Sequence, residues 1–217
     1  MNRRNFLKTL PVLGAGTLGL AAGTFWPEQG FLNPCKSGLP AGLQRHPLIE
    51  SVWQGMDASQ VWDAHAHLAG SGDSGGGAWF SPNMDSFRHP ILMVQKLFYL
   101  NASCAQQTAP GVDAGYVERL KNLAAEMHPG FKVLLFAFDW RHDAAGKPDR
   151  AHSLFHIPNA YAAQVARHYP EHFEWVASIH PYRADCVEAL EQAVEAGALG
   201  IKWLPSANPQ LNADVSC

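Results

Sequence analysis

The sequence predicts a parallel α/β fold of the barrel kind, and three observations carry the prediction. Short apolar runs at 61–68, 132–138, 173–179 and 199–204 have strand length, and stretches with helical periodicity separate them. The run Phe173–Ile179 is apolar on both faces, as a strand covered on both sides must be. Each run also ends in polar, chemically capable side chains, the pattern of parallel barrels, whose catalytic groups gather at the carboxyl ends of the strands.

The 217 residues, 47% hydrophobic and 16% charged, fit one globular domain. A formal net charge of -3 with scattered Lys and Arg leaves no basic footprint, so nucleic acid is not expected as a partner. Residues 1–26 follow a different rule. Asn2-Arg3-Arg4-Asn5-Phe6-Leu7-Lys8 precedes an uncharged stretch from Thr9 to Trp26 and resembles a twin-arginine export signal. Glycines interrupt that stretch and its hydrophobicity is modest, so no stable membrane span is expected, and the destination is periplasmic or extracellular. Ala21-Ala22-Gly23 offers small residues for cleavage, whereas Leu32-Asn33-Pro34-Cys35 departs from a lipidation motif. Cys35, Cys104, Cys186 and Cys217 are too widely spaced to require a disulfide, although an exported chain permits one.

Residues 27–60 read as a Pro- and Gly-punctuated linker and lead-in, with a short amphipathic piece at Leu48–Trp53, and 61–217 as the barrel portion. Val61–Leu68 is the first strand. Gly70 to Gly77 holds five glycines in eight residues and predicts a mobile loop; no phosphate-binding pattern fits it. His89–Leu100 reads as a helix, and Asp113–Met127 as another, with Tyr116, Val117, Leu120, Leu123, Ala124 and Met127 on one side and His128-Pro129-Gly130 as its stop. After the second strand, Asn159–His168 follows Ile157-Pro158 as a third helix. The fourth starts at Asp185-Cys186-Val187-Glu188, which has the form of a capping box, and closes at Gly197 or Gly200.

The strand ends deliver His65 and His67, then Asp139 and His142, then His180 and Arg183, then Lys202. If the four strands lie side by side, these residues converge on one mouth. The spacing of His65 and His67 points both imidazoles to one face, as a metal-ligand pair requires. The alternation of Asp63, His65 and His67 with Trp62, Ala64, Ala66 and Leu68 equally suits a strand with one wet face. Asp139 and His180 are read as loop-starting or substrate-lining residues, with His142, Arg183 and Trp203 beside them; Lys202 could simply snorkel to solvent.

The strand Val61–Leu68 with its His-Ala-His, the run Ser178-Ile179-His180-Pro181-Tyr182-Arg183 and the run Gly200-Ile201-Lys202-Trp203-Leu204-Pro205 resemble the amidohydrolase superfamily, in its amidohydrolase-2-like branch of metal-dependent hydrolases, over residues 46–207. The resemblance implies a (β/α)8 TIM barrel of which about the first four βα units are present. It further implies a divalent metal, zinc above all, held by His65 and His67, with Lys202 at the place where some members bridge two metals through a carboxylated lysine. Metal-activated water would then cleave a small C-N, C-O or lactone bond of a small-molecule substrate. Asp63 could orient a histidine ring from behind.

The resemblance also implies later histidine ligands on strands five and six and a catalytic aspartate on strand eight, but after Pro205 only Ser206–Cys217 follow, so these have no counterpart and no catalytic residue is assigned. The expectation is an N-terminal half, inactive alone, that self-associates through its open edges. A metal-dependent decarboxylase of the same superfamily and a non-catalytic remnant or binding fragment are the alternatives.

Overall fold

The computed structural model describes Cys35, Gly38, Pro40, Gly42, Leu43 and residues 46–105 and 111–203. The export signal, the first part of the lead-in and the chain from Leu204 onward lie outside the described residues.

Among the described residues, six strands and five α-helices follow one another as α1 (Pro47–Trp53), β1 (Trp62–His67), β2 (Trp79–Phe80), α2 (Pro90–Ala102), α3 (Val112–Ala125), β3 (Lys132–Phe136), β4 (Phe155–His156), α4 (Asn159–His168), β5 (Phe173–Ser178), α5 (Cys186–Glu195) and β6 (Ile201–Lys202). The strands β1, β3, β5 and β6 pair in that order, all parallel, into one curled half-barrel sheet. Parallel neighbours need a crossover, and the helices supply it. A two-stranded antiparallel ribbon of β2 and β4, pairing Trp79 with His156 and Phe80 with Phe155, lies outside that sheet and was not foreseen from the sequence.

Alternation along the strands decides what each face meets. Val133, Leu135 and Ala137, with Phe173, Trp175 and Ala177, are buried on the helix side together with Ala162, Ala163, Val165, Ala166, Ala189 and Ala193. Burying a side chain such as Phe173 or Leu135 contributes about 2–3 kcal/mol relative to exposure. Lys132, Leu134 and Phe136 point to the opposite, concave face and are only half-buried. Lys132 pairs there with Glu174 at 2.6 Å.

The helix ends follow two different rules. Gly197, at φ 86°, ends α5, and the N–H groups of Gly197 and Ala198 return to the carbonyls of Val194 and Ala193. At the other end Asp185 stands at the N-cap without capping. Its carboxylate is taken by Arg183, whose Nε and Nη2 donate at 2.7 and 2.9 Å, so the capping box read from the sequence does not form.

The glycine-rich loop is not free-standing either. The buried Asp113 carboxylate accepts from the N–H groups of Ser71, Gly72 and Ser74 and from the Ser74 hydroxyl. Asp73 reciprocates by accepting from Val112 and Asp113 N–H at the start of α3. Burial alone would raise the Asp73 pKa, but these two backbone bonds, together with side-chain bonds to Asp113 and Ser71, hold it below the ordinary carboxylate value. Gly76 meets the Tyr161 ring so closely that a Cβ there would collide with it. The loop is therefore pinned at both ends, and the expectation of mobility is corrected. A disulfide joins Cys35 in the lead-in to Cys104 just beyond α2.

Candidate metal centre

The concave face brings together three of the residues singled out by sequence. His65 Nε2 and His67 Nε2 are 3.0 Å apart, and Lys202 Nζ stands 3.1 Å from both ring nitrogens of His67. The register explains the meeting. His67 lies opposite Phe136 on β3, and Ser178 on β5 lies opposite Lys202, so side chains from the first and last strands of the sheet lean over the two between. The floor beneath them is aromatic: Lys202 Nζ sits 4.8 Å above the Phe136 ring and 5.0 Å above that of Phe138, and both imidazoles pack against Phe136.

Burial and neighbouring charge keep His67 in the form a metal needs. Burial, then the Lys202 ammonium and His65, push the His67 pKa down to about 4, so its ring is neutral at pH 7. Burial also lowers Lys202 to about 8. Two imidazole nitrogens bound to one tetrahedral zinc stand about 3.3 Å apart. The 3.0 Å separation is close to that, and two imidazole nitrogens suit a divalent ion. Among the described residues, however, no group of three or more His, Cys, Asp or Glu side chains could hold a metal. Asp63 does not orient a ring. A register shift falls between Asp63 and Ala66, and the Asp63 carboxylate accepts from the backbone N–H of His65 instead.

Asp139, His142, His180 and Arg183 form a second cluster. Asp139 Oδ2 accepts from His180 N–H at 2.9 Å and from Arg183 Nη1 at 3.1 Å, while Oδ1 accepts from Trp140 N–H. His142, 2% exposed, packs its ring 4.6 Å from that of His180, and its Nδ1 bonds the Trp140 carbonyl. Burial, then His142, lowers the His180 pKa. Its Nδ1 accepts from Tyr182 N–H, which leaves the buried Nε2 carrying the proton and without a partner. A ring fixed in that tautomer presents no lone pair at Nε2, so His180 is not arranged as a ligand.

Among the described residues, no hydrogen bond, ion pair or ring contact joins the side chains of His65, His67 and Lys202 to those of Asp139, His142, His180 and Arg183, so the strand-end residues read from the sequence form two groups of contacts. The alternation explains why. Asp139 continues the series Val133, Leu135, Ala137 toward the helices, whereas His67, Phe136 and Lys202 face the concave side. Trp203 is 57% exposed at the last described position and joins neither group. Sequence reasoning missed His156, Asn159 and Ser178, which belong to the second cluster: Asn159 exchanges two hydrogen bonds with the Ser178 backbone, and Ser178 Oγ accepts from Asp139 N–H. The Ile157-Pro158 helix start was the available signal, since it fixes Asn159 against the end of β5.

No helix of the described residues is long and apolar enough to cross a membrane. Comparison with family models, with curated proteins and with solved structures finds no match to this chain.

Proposed function

We propose that the chain is part of an exported, metal-dependent hydrolase of the amidohydrolase type, built on a TIM barrel, in which His65 and His67 hold a divalent ion, zinc above all. The observation that carries this reading is the 3.0 Å approach of the two Nε2 atoms at the carboxyl end of a strand in a parallel sheet, with His67 neutral. Held by His65 and His67, a divalent ion would supply Lewis acidity to lower the pKa of a water molecule toward neutrality. The chain's own contribution is positional. Phe136 buttresses both rings, and burial, with the Lys202 ammonium second to it, keeps His67 unprotonated. Lys202 is a further ligand in the carboxylated form, for which its lowered pKa makes the uncharged amine accessible.

A second reading, a metal-binding fragment without catalysis, is favoured by the absence of a third acidic or imidazole ligand among the described residues. Zinc content separates the shared claim from its denial: the wild-type chain should retain metal through dialysis, and His65→Ala with His67→Ala should lose it. Equal content in both would sink either reading. Hydrolysis of lactone or amide substrates by the zinc-loaded chain then divides hydrolase from silent binder, and carbon dioxide release from aromatic acids in place of hydrolysis would mark the decarboxylase alternative.

A further inference from the structure

A cleft of about 360 Å³ opens on the helix side of the sheet, away from the imidazole pair. It exists because α4 and α5 face each other with alanines: Ala160 and Ala163 on one, Ala189, Ala193 and Ala196 on the other. Trp175 forms the floor, 3% exposed and held by its indole N–H donating to the Ala196 carbonyl. Such a volume lies in the range that admits a small organic molecule.

The upper end of the cleft is polar and acceptor-rich. His156 stacks on Trp140 with centroids 4.0 Å apart, and its Nδ1 is buried with no partner. Burial holds the ring neutral, with its pKa at about 4. Asp139 Oδ1 receives only the Trp140 N–H, so a lone pair remains. Gln192 donates through Nε2 to Glu188, which leaves its amide oxygen as an acceptor at the rim. Arg183, the one cation in the cleft lining among the described residues, is shared between the carboxylates of Asp139 and Asp185, so Asp139 is only partly compensated, while the Arg150 guanidinium lies outside the lining, over the Trp140 ring. An anion would meet the Asp139 charge unfavourably, and a purely apolar guest would leave the buried acceptors unsatisfied.

We propose that this cleft is a binding site for a small organic amine, whose ammonium donates to Asp139 and His156 while its apolar body lies over Trp175 between the alanines. The site is separate from the imidazole pair and does not depend on a metal there.

The test is a titration of the full chain with benzylamine, benzyl alcohol and benzoate, read by tryptophan fluorescence and by the NMR shifts of His156 and Trp175. Benzylamine should bind at least tenfold more tightly than either comparison compound. Ala193→Leu, which fills the cleft, should weaken it tenfold or more without changing metal content; should that variant not fold, Ala160→Leu at the exposed rim tests the same point. His156→Leu should also weaken the amine, by several-fold. Equal affinity for the three compounds, or amine binding untouched by the filled cleft, would overturn the proposal.

Discussion

At the scale of single residues, the chain lowers histidine pKa values by burial and then uses the neutral rings. His156 and His67 both fall to about 4, with burial the first cause in each. A histidine whose folded pKa lies below its unfolded value leaves stability intact above about pH 6.5 and removes it as the pH falls toward 4, because the unfolded chain binds the proton first. For His156 the loss across that window is of order 2 kcal/mol, after allowance for the part of the ring that solvent reaches. Urea denaturation of His156→Gln should accordingly show a flatter pH profile than wild type between pH 4 and 6.5. An unchanged profile would mean that the ring is solvated in the folded chain. Asp139 shows what residue-level reading could and could not see. Its type and its place after a strand were legible, and so was its use of the period-two alternation. Continuing that alternation past the strand end would have assigned it to the helix side, away from His65 and His67.

At the scale of elements, the chain invests its buried carboxylates in holding loops. Asp113 is wholly buried and gathers four hydrogen bonds from the segment Ser71–Ser74, so Asp113→Ala should cost about 3–5 kcal/mol in chemical denaturation, since buried donors would be left unpaired. Limited proteolysis should then cut between residues 70 and 77, where the wild type resists; equal resistance would show that Asp113 is not the anchor. Helices α3 and α4 were readable almost to the residue because their apolar stripes are long. The loop anchors were not, because a carboxylate's partner some 40 positions away leaves no local pattern. The same holds for Cys35 and Cys104, 69 residues apart. Replacing Cys104 with Ser should lower stability by about 2–4 kcal/mol in the oxidised chain, and the difference should vanish on adding reductant.

At the scale of the whole molecule, the half-barrel leaves apolar surface around its last strand. Val187, Val194, Leu199, Ile201 and Trp203 are all more than 40% exposed, and β6 has a single strand partner among the described residues. Such an edge templates pairing with another chain. Sedimentation should show self-association that rises with concentration, and Ile201→Lys with Val194→Lys should reduce it; a wild-type chain that stays monomeric at all concentrations would count against an open edge. The parallel sheet, its strand order and the meeting of His65 and His67 were all legible from apolar runs and their polar ends. The ribbon of β2 and β4 escaped notice because two-residue strands carry no periodicity.

The strand order also sets a schedule for folding. Ala177 needs to find only Ile201, close along the chain, whereas Val133 must find Phe173 and Trp62 must find Lys132 across progressively longer intervening segments. Loop-closure entropy grows with that separation, so contacts around β5 and β6 are the cheaper ones to form early, and β1 joins last. The Cys35–Cys104 bridge encloses β1 within its loop and restrains the segment that must travel furthest. His65 and His67 thus reach Lys202 only when the sheet is otherwise assembled, so a metal captured by the pair would act on the final step of assembly, locking in place the strand that arrives last.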